Sequence, residues 1–348
     1  MNEKNKSLNN LYIDLSVIAS NYVNIREVIG KNVQCAANIK ANAYGLGSMP
    51  IMRCLSGAGC NKFFVTCLEE AVALRNSVSI TDEIYVLNGI APGEEADFVQ
   101  NHITPVLNSK SQFEMFNNYC RKKNKNFSAV LNVDVGLNRI GIPAEEAIIL
   151  AKQGYFKQKA NLIFITSQLD YVNQTTRQLE MIKALQAEFN LPISLAGSKG
   201  ISFGKDYYFD IVKLGIDLYK NSISLSSSII QIQKMSQDIS VGFDNPSKVS
   251  KDTMLAIVPI GYADGLHKGI AKEGFFYIND RPAKIMGDIH MELVTLDVTN
   301  IPEYDLAMGA EVEILGKNIS VEQMAQWAGI SAHNVLTSLG QRIKRNYI

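Results

Sequence analysis

Residues 34–57, QCAANIKANAYGLGSMPIMRCLSG, contain in order an apolar run of strand character (34–39), a lysine at its end, a small-residue loop carrying Gly45 and Gly47, and a segment with apolar residues at helical spacing (47–57). This is one β/α unit with a nucleophilic side chain at its junction. The two glycines let backbone approach a ligand closely. A lysine at a strand end can form an imine with a carbonyl cofactor, although a lysine after an apolar run is, taken alone, usually a solvated stem.

The same alternation extends in both directions. Strand-like runs fall at residues 11–15, 62–66, 83–87, 104–107, 129–133, 161–165, 192–195 and 209–212, with helical spacing at 68–76, 111–122, 144–153 and 175–187. One leading run plus about eight that can close on themselves favours an α/β fold with an N-terminal (β/α)8 TIM barrel over an open doubly wound sheet. No glycine-rich dinucleotide fingerprint is present.

After about Ser222 the texture changes to extended runs at 229–242, 254–260, 275–278, 293–298 and 310–315, separated by turn residues. This predicts a mostly β C-terminal domain ending in a helix near 321–328 and a solvated basic tail, 342–345. The expected division is a barrel over residues 12–225 and a β domain over 226–348 that also takes residues 1–11.

Composition excludes several classes. The chain has 348 residues, 47% of them hydrophobic, enough for one large core and a second domain. Basic and acidic residues number 34 each, so nothing recommends nucleic acid or an anionic membrane as partner. Residues 1–10 lack the apolar core of a secretion signal and no segment is long enough to span a bilayer, so a cytoplasmic location is expected. The five cysteines form no CxxC pair and the four histidines are scattered, which predicts no metal site.

In a barrel, chemistry collects where strands end. Lys40, the stretch 132–139, Thr166, Ser198 with Lys199, and Lys213 occupy those positions. The string Ile39-Lys40-Ala41-Asn42-Ala43-Tyr44-Gly45-Leu46-Gly47 resembles the pyridoxal phosphate (PLP) attachment signature of the alanine racemase family. Further similar segments follow in family order: 133–141 around Arg139, 194–200 around Ser198, Gly215-Ile216, 260–265 around Tyr262, 287–292 around Met291, and 336–340.

The resemblance implies that Lys40 carries PLP and that Tyr44, Ser198 and the amides of Gly215 and Ile216 hold its phosphate. It implies that Arg139 approaches the cofactor's phenolic oxygen and the substrate carboxylate, and that the Met291 amide contributes to substrate binding. Lys40 and Tyr262 become the two bases of a racemase interconverting L- and D-alanine for a bacterial cell wall, in a homodimer that sets the tyrosine of one subunit opposite the lysine of the other.

Several positions depart from the family pattern, among them Leu46 where many members have histidine, Gly197 where asparagine is usual and Lys199 where a small polar residue is. Thr166 stands where most members have a histidine supporting the tyrosine, Lys213 where most have an arginine at the pyridine nitrogen, and Asp288 where an arginine is usual. These departures predict a slow racemase or one of altered amino-acid specificity. They leave open a second reading, a divergent PLP-binding paralogue with little racemase activity. Barrel-type decarboxylases carry a C-terminal cysteine motif, and no cysteine occurs here after Cys120.

Overall fold

The computed structural model describes residues 7–169, 175–242 and 246–348. The chain divides into two compact units, one formed by the chain up to Val17 with Tyr44–Leu46 and Lys220–Ile348, the other by Ile18–Ala43 and Gly47–Tyr219. Among the described residues no helix is long and apolar enough to cross a membrane.

The first strand, β1 (Asn10–Ile13), belongs to the first unit. The second unit is a closed barrel of parallel strands: β2 (Gln34–Asn38), β3 (Lys62–Val65), β4 (Glu83–Val86), β5 (Ile103–Leu107), β6 (Ser128–Asp134), β8 (Asn161–Thr166), β9 (Ile193–Gly197) and β10 (Ile211–Leu214), with the two-residue β7 (Ile142–Pro143) appended to β6. The ring closes where β10 pairs with β2, Ile211 opposite Gln34 and Leu214 opposite Ala37. Helices such as Ser48–Gly57, Leu68–Arg75, Lys110–Lys123, Ala144–Lys152 and Thr175–Phe189 separate the strands.

Strands enclosed on both faces read as continuous apolar runs, and β3 and β10 are buried at every position. Inside the barrel Ala36, Phe64, Tyr85, Val106, Val130, Phe164 and Ile211 form one cluster, with the Phe64 and Tyr85 rings stacked 4.9 Å apart. At the start of β3, Lys62 pairs with Glu83 at 2.6 Å and donates to the Tyr85 hydroxyl at 3.3 Å. The barrel is therefore packed shut below and can hold a ligand only where its strands end.

The other unit is built on β11 (Ile223–Ser228), β12 (Gln231–Lys234), β15 (Met254–Val258), β16 (Phe275–Ile278), β17 (Arg281–Met286), β18 (Val294–Asp297), β19 (Glu311–Leu315) and β20 (Lys344–Tyr347), while β13 (Ile239–Val241) and β14 (Ser247–Val249) pair separately. Its nine-stranded sheet runs β12-β15-β18-β17-β16-β19-β11-β1-β20.

In the basic tail Arg342 and Lys344 are exposed, as expected, but Arg345 is drawn into the fold. Residues 344–347 pair in parallel with β1, and the Arg345 guanidinium donates to the carbonyls of Gly45, Leu339, Gly340 and Ile343 at 2.9–3.2 Å. Four carbonyls converging on one position explain why it holds a rigid multidentate donor.

Candidate active site

The strand ends of the barrel surround a cavity of about 430 Å³. Asn38 and Lys40 reach it from β2, Thr66 from β3, Asn88 from the end of β4, Asn132 and Asp134 from β6, Thr166 and Ser167 from β8, and Lys213 from β10. Arg139, on the loop after β6, completes the wall.

Lys40 opens a backbone turn of unusual hand. Ala41, Asn42, Ala43 and Tyr44 all lie at φ between 51° and 57°, a left-handed helical turn in which a Cβ crowds its own carbonyl. At roughly 1–2 kcal/mol per residue, such a turn persists only when its surroundings fix it. The Ala43 amide donates to the Ile39 carbonyl at 2.8 Å and the Gly47 amide to the Asn42 carbonyl at 2.9 Å, tying the turn to the strand that precedes it.

Electrostatics in the cavity favour neutral amines. Burial, then the Arg139 charge, lowers the Lys40 amine below the ordinary lysine value, with Glu70 opposing. Lys213 is buried and pushed down to about 7 by desolvation and by the charges of Lys40 and Arg139. Its Nζ donates to Thr166 Oγ1 at 2.5 Å and to the Ser167 carbonyl at 2.8 Å, and lies 5.9 Å from the Phe64 ring centroid. Sequence reading treated Thr166 and Lys213 as separate departures; the fold joins them.

Asp134 is the one carboxylate lining the cavity among the described residues, and backbone engages both its oxygens. Oδ1 accepts the amides of Gly136 (2.8 Å), Leu137 (2.9 Å) and Asn138 (3.2 Å), and Oδ2 accepts that of Arg139 (3.0 Å). The donor set of the cavity is thus dominated by Lys40, Arg139 and Lys213 and suits an anionic ligand.

Of the residues expected to hold a phosphate, Ser198 and Gly215 are together, the Gly215 amide donating to Ser198 Oγ at 2.9 Å, with Ile216 opening the short 3-10 helix Ile216–Tyr219. None of the three lines the Lys40 cavity. Tyr44 is counted with the other unit, where its ring packs 5.5 Å from His333 and burial pushes its phenol up to about 12.

Tyr262 and Met291 are brought together in the β unit, where they line a cavity of about 350 Å³. The Tyr262 amide donates to the His290 carbonyl and the Ala263 amide to the Met291 carbonyl, both at 2.9 Å. Gly261 makes that approach possible, since a Cβ there would lie 2.2 Å from the His290 oxygen. The turn Tyr262–Asp264 is held from beneath by the fully buried Asp264, whose Oδ2 accepts the Gly261 amide and which pairs with Arg342, Nε 3.0 Å from Oδ1. The Lys268 ammonium sits 5.0 Å from the Tyr262 ring centroid, and Tyr262 itself is 41% exposed.

Two family models match the chain: alanine racemase, N-terminal domain, over residues 13–222, and alanine racemase, C-terminal domain, over residues 222–347. The chain belongs to the alanine racemase family. It is 34% identical over 354 residues to the alanine racemase of Rickettsia africae (98% of this chain, 99% of the relative), and 33% identical over 356 residues to the catabolic alanine racemase of Agrobacterium fabrum (97% and 92%). The solved alanine racemase of Bartonella henselae, which carries covalently bound pyridoxal phosphate, superposes with a TM-score of 0.93 at 32% identity, covering 99% of this chain and all of that one.

The residues that sequence reasoning passed over in this alanine racemase family member are Asp134, Asp264 and Lys268. Asp134 had a signal, an aspartate two residues before a glycine at a strand end, the composition of an Asx-type turn. The other two had none that distinguishes them from solvated charges.

Proposed function

We propose that this chain interconverts L- and D-alanine with PLP held on Lys40. An amino-acid racemase is an isomerase, and family membership across both domains supports that class. The observation that carries the proposal is a strand-end cavity in which a lysine of lowered proton affinity stands beside Arg139 and Lys213, with Asp134, the one lining acid among the described residues, engaged by backbone amides. A neutral amine is the form that bonds to a carbonyl carbon, and the N–H donors of Arg139 and Lys213 beside it suit a phenolic cofactor.

In this reading Lys40 makes the covalent attachment, while Tyr44, Ser198 and the amides of Gly215 and Ile216 hold the phosphate. Lys213 serves the ring nitrogen. Bound PLP supplies an electron sink for the charge released at an amino acid's Cα. Arg139 takes the substrate carboxylate and the Met291 amide adds a second contact. Lys40 and Tyr262 serve opposite faces of Cα: each removes the proton from one enantiomer while the other delivers a proton to the opposite face. The chain would act as a cytoplasmic homodimer that completes each site with the tyrosine of the second subunit, supplying D-alanine for a cell wall, with a barrel over residues 12–225 and a β domain over the remainder.

The Thr166–Lys213 pair favours one rival, a PLP binder of little racemase activity or of another amino-acid substrate. Purification with PLP, an absorption spectrum and an L- to D-alanine assay separate the readings. A visible band lost in Lys40→Ala together with turnover supports the racemase. The band without turnover supports the rival, and absence of the band refutes both.

A further inference from the structure

We propose that Asp134 is a positioning residue for Arg139, acting through the backbone rather than through substrate. The inference rests on the reading of Arg139 as the substrate-carboxylate contact and adds what keeps it available for that task.

A carboxylate five residues before an arginine, on the wall of the same cavity, is a natural ion-pair partner for it. The fold prevents that. The four amides of residues 136–139 converge on Asp134, three on Oδ1 and that of Arg139 on Oδ2. Each is a charge-assisted bond; three share Oδ1 and the fourth is taken by Oδ2, so both oxygens are committed to backbone. The Arg139 guanidinium forms no hydrogen bond or ion pair with the described residues of the barrel and remains exposed toward the cavity.

The cage also sets where Arg139 stands. Gly136 at φ 115° and Asn138 at φ 56° bend the chain back over the end of β6. Gly141 closes the turn, since a Cβ there would lie 2.8 Å from the Asp134 nitrogen. From the other side Asn132 Nδ2 donates to the Ile140 carbonyl at 3.2 Å and to Asn108 Oδ1 at 2.7 Å. The loop is held at both ends, and Asp134 is the one residue that binds the Arg139 backbone itself.

Asp134→Asn is the selective probe. An amide oxygen can still accept three amides in the place of Oδ1, whereas an NH2 group meets the Arg139 N–H donor to donor. The test compares kcat and KM for L-alanine in the PLP-loaded parent, Asp134→Asn, Arg139→Met and the double variant, with thermal midpoints measured alongside. The expected result is a KM raised about tenfold in Asp134→Asn, as for the loss of one charge-assisted hydrogen bond, with kcat within about threefold and less than about twofold further change in the Arg139→Met background. If Asp134→Asn does not fold, Asp134→Glu, which keeps the charge but displaces it, is expected to show the same rise. An Arg139→Met protein of unchanged KM would refute the Arg139 reading and this proposal with it; a raised KM in Arg139→Met with an additive or absent effect of Asp134→Asn would overturn the Asp134 proposal alone.

Discussion

Lys213 Nζ lies 2.5 Å from Thr166 Oγ1, so two of the residues that depart from the expected pattern, on the barrel strands β10 and β8 that flank β9, form one hydrogen-bonded unit. Lys213→Arg alone crowds Thr166, and Thr166→His alone removes the hydroxyl that accepts from Lys213, so either change alone breaks the unit, whereas the double variant restores the arginine and histidine that the family resemblance implies. Lys213→Arg and Thr166→His are each expected to slow turnover singly, and together to raise it above the parent. The coupling should be about 0.5–3 kcal/mol. Four kcat values decide the matter, and a double variant no faster than the parent would count against the account.

The same lysine makes stability depend on pH. Its amine titrates near about 7 in the folded protein against an ordinary 10.5. Between those values the unfolded chain holds a proton that the folded chain does not, so folding is penalised there. The penalty is absent above 10.5, grows as pH falls toward 7, and stays constant below, with a slope of at most about 1.4 kcal/mol per pH unit. Lys213→Met, prepared without PLP, is expected to melt higher than the parent at pH 7, with a lead that shrinks toward pH 10. Melting curves at several pH values give the answer, and a constant difference would show that Lys213 does not titrate in this window.

Asp264 is fully buried beneath the tyrosine turn, while its partner Arg342 has a side chain 57% exposed. Removing the exposed partner strands a buried charge that retains only the Gly261 amide. Arg342→Met should cost about 1–3 kcal/mol and lower kcat by loosening the turn that carries Tyr262. Chemical denaturation with a parallel kcat measurement checks both; an unchanged kcat would separate the ion pair from the placement of the tyrosine.

Gly261→Ala places a methyl group 2.2 Å from the His290 oxygen and 2.4 Å from that of Met291. Real Cβ atoms do not tolerate such distances, so the two strands of chain must separate and the paired amides of Tyr262 and Ala263 be lost. Turnover is expected to fall by on the order of 10²-fold, as for loss of a positioned acid–base group, while the visible band of lysine-held PLP persists. Loss of the band as well would mean that damage in the β unit is not local.

The barrel was legible because its strands are enclosed on both faces and read as unbroken apolar runs, as Lys62–Val65 and Ile211–Leu214 do. In the β unit β17 escaped notice. It alternates exposed and buried residues, and Pro282 in a strand with neighbours on both sides argues against a strand at all. β20 escaped because Lys-Arg-Asn-Tyr offers no apolar pattern; its affinity for the sheet comes from backbone pairing and from the carbonyls that Arg345 gathers. At the site, Lys40 and Tyr262 stood out through their strings, but no string reports that Thr166 and Lys213, 47 positions apart, touch. The amides around Asp134 are likewise a property of backbone shape, which residue names disclose only in part.

The strand β1 has a particular place in time as well as in space. Its two neighbours in the sheet are β11 and β20, so this strand, made before the barrel, finds its first partner only after the whole barrel has been synthesised, and its second only once Lys344–Tyr347 has emerged. Local βα contacts can form throughout that interval, whereas this strand waits as an unpaired edge with Leu11 and Ile13, both fully buried in the finished sheet, still uncovered. Vectorial synthesis therefore leaves an uncovered apolar strand on the nascent chain while the barrel is being made, a segment that a chaperone binding extended apolar chain would shield from aggregation.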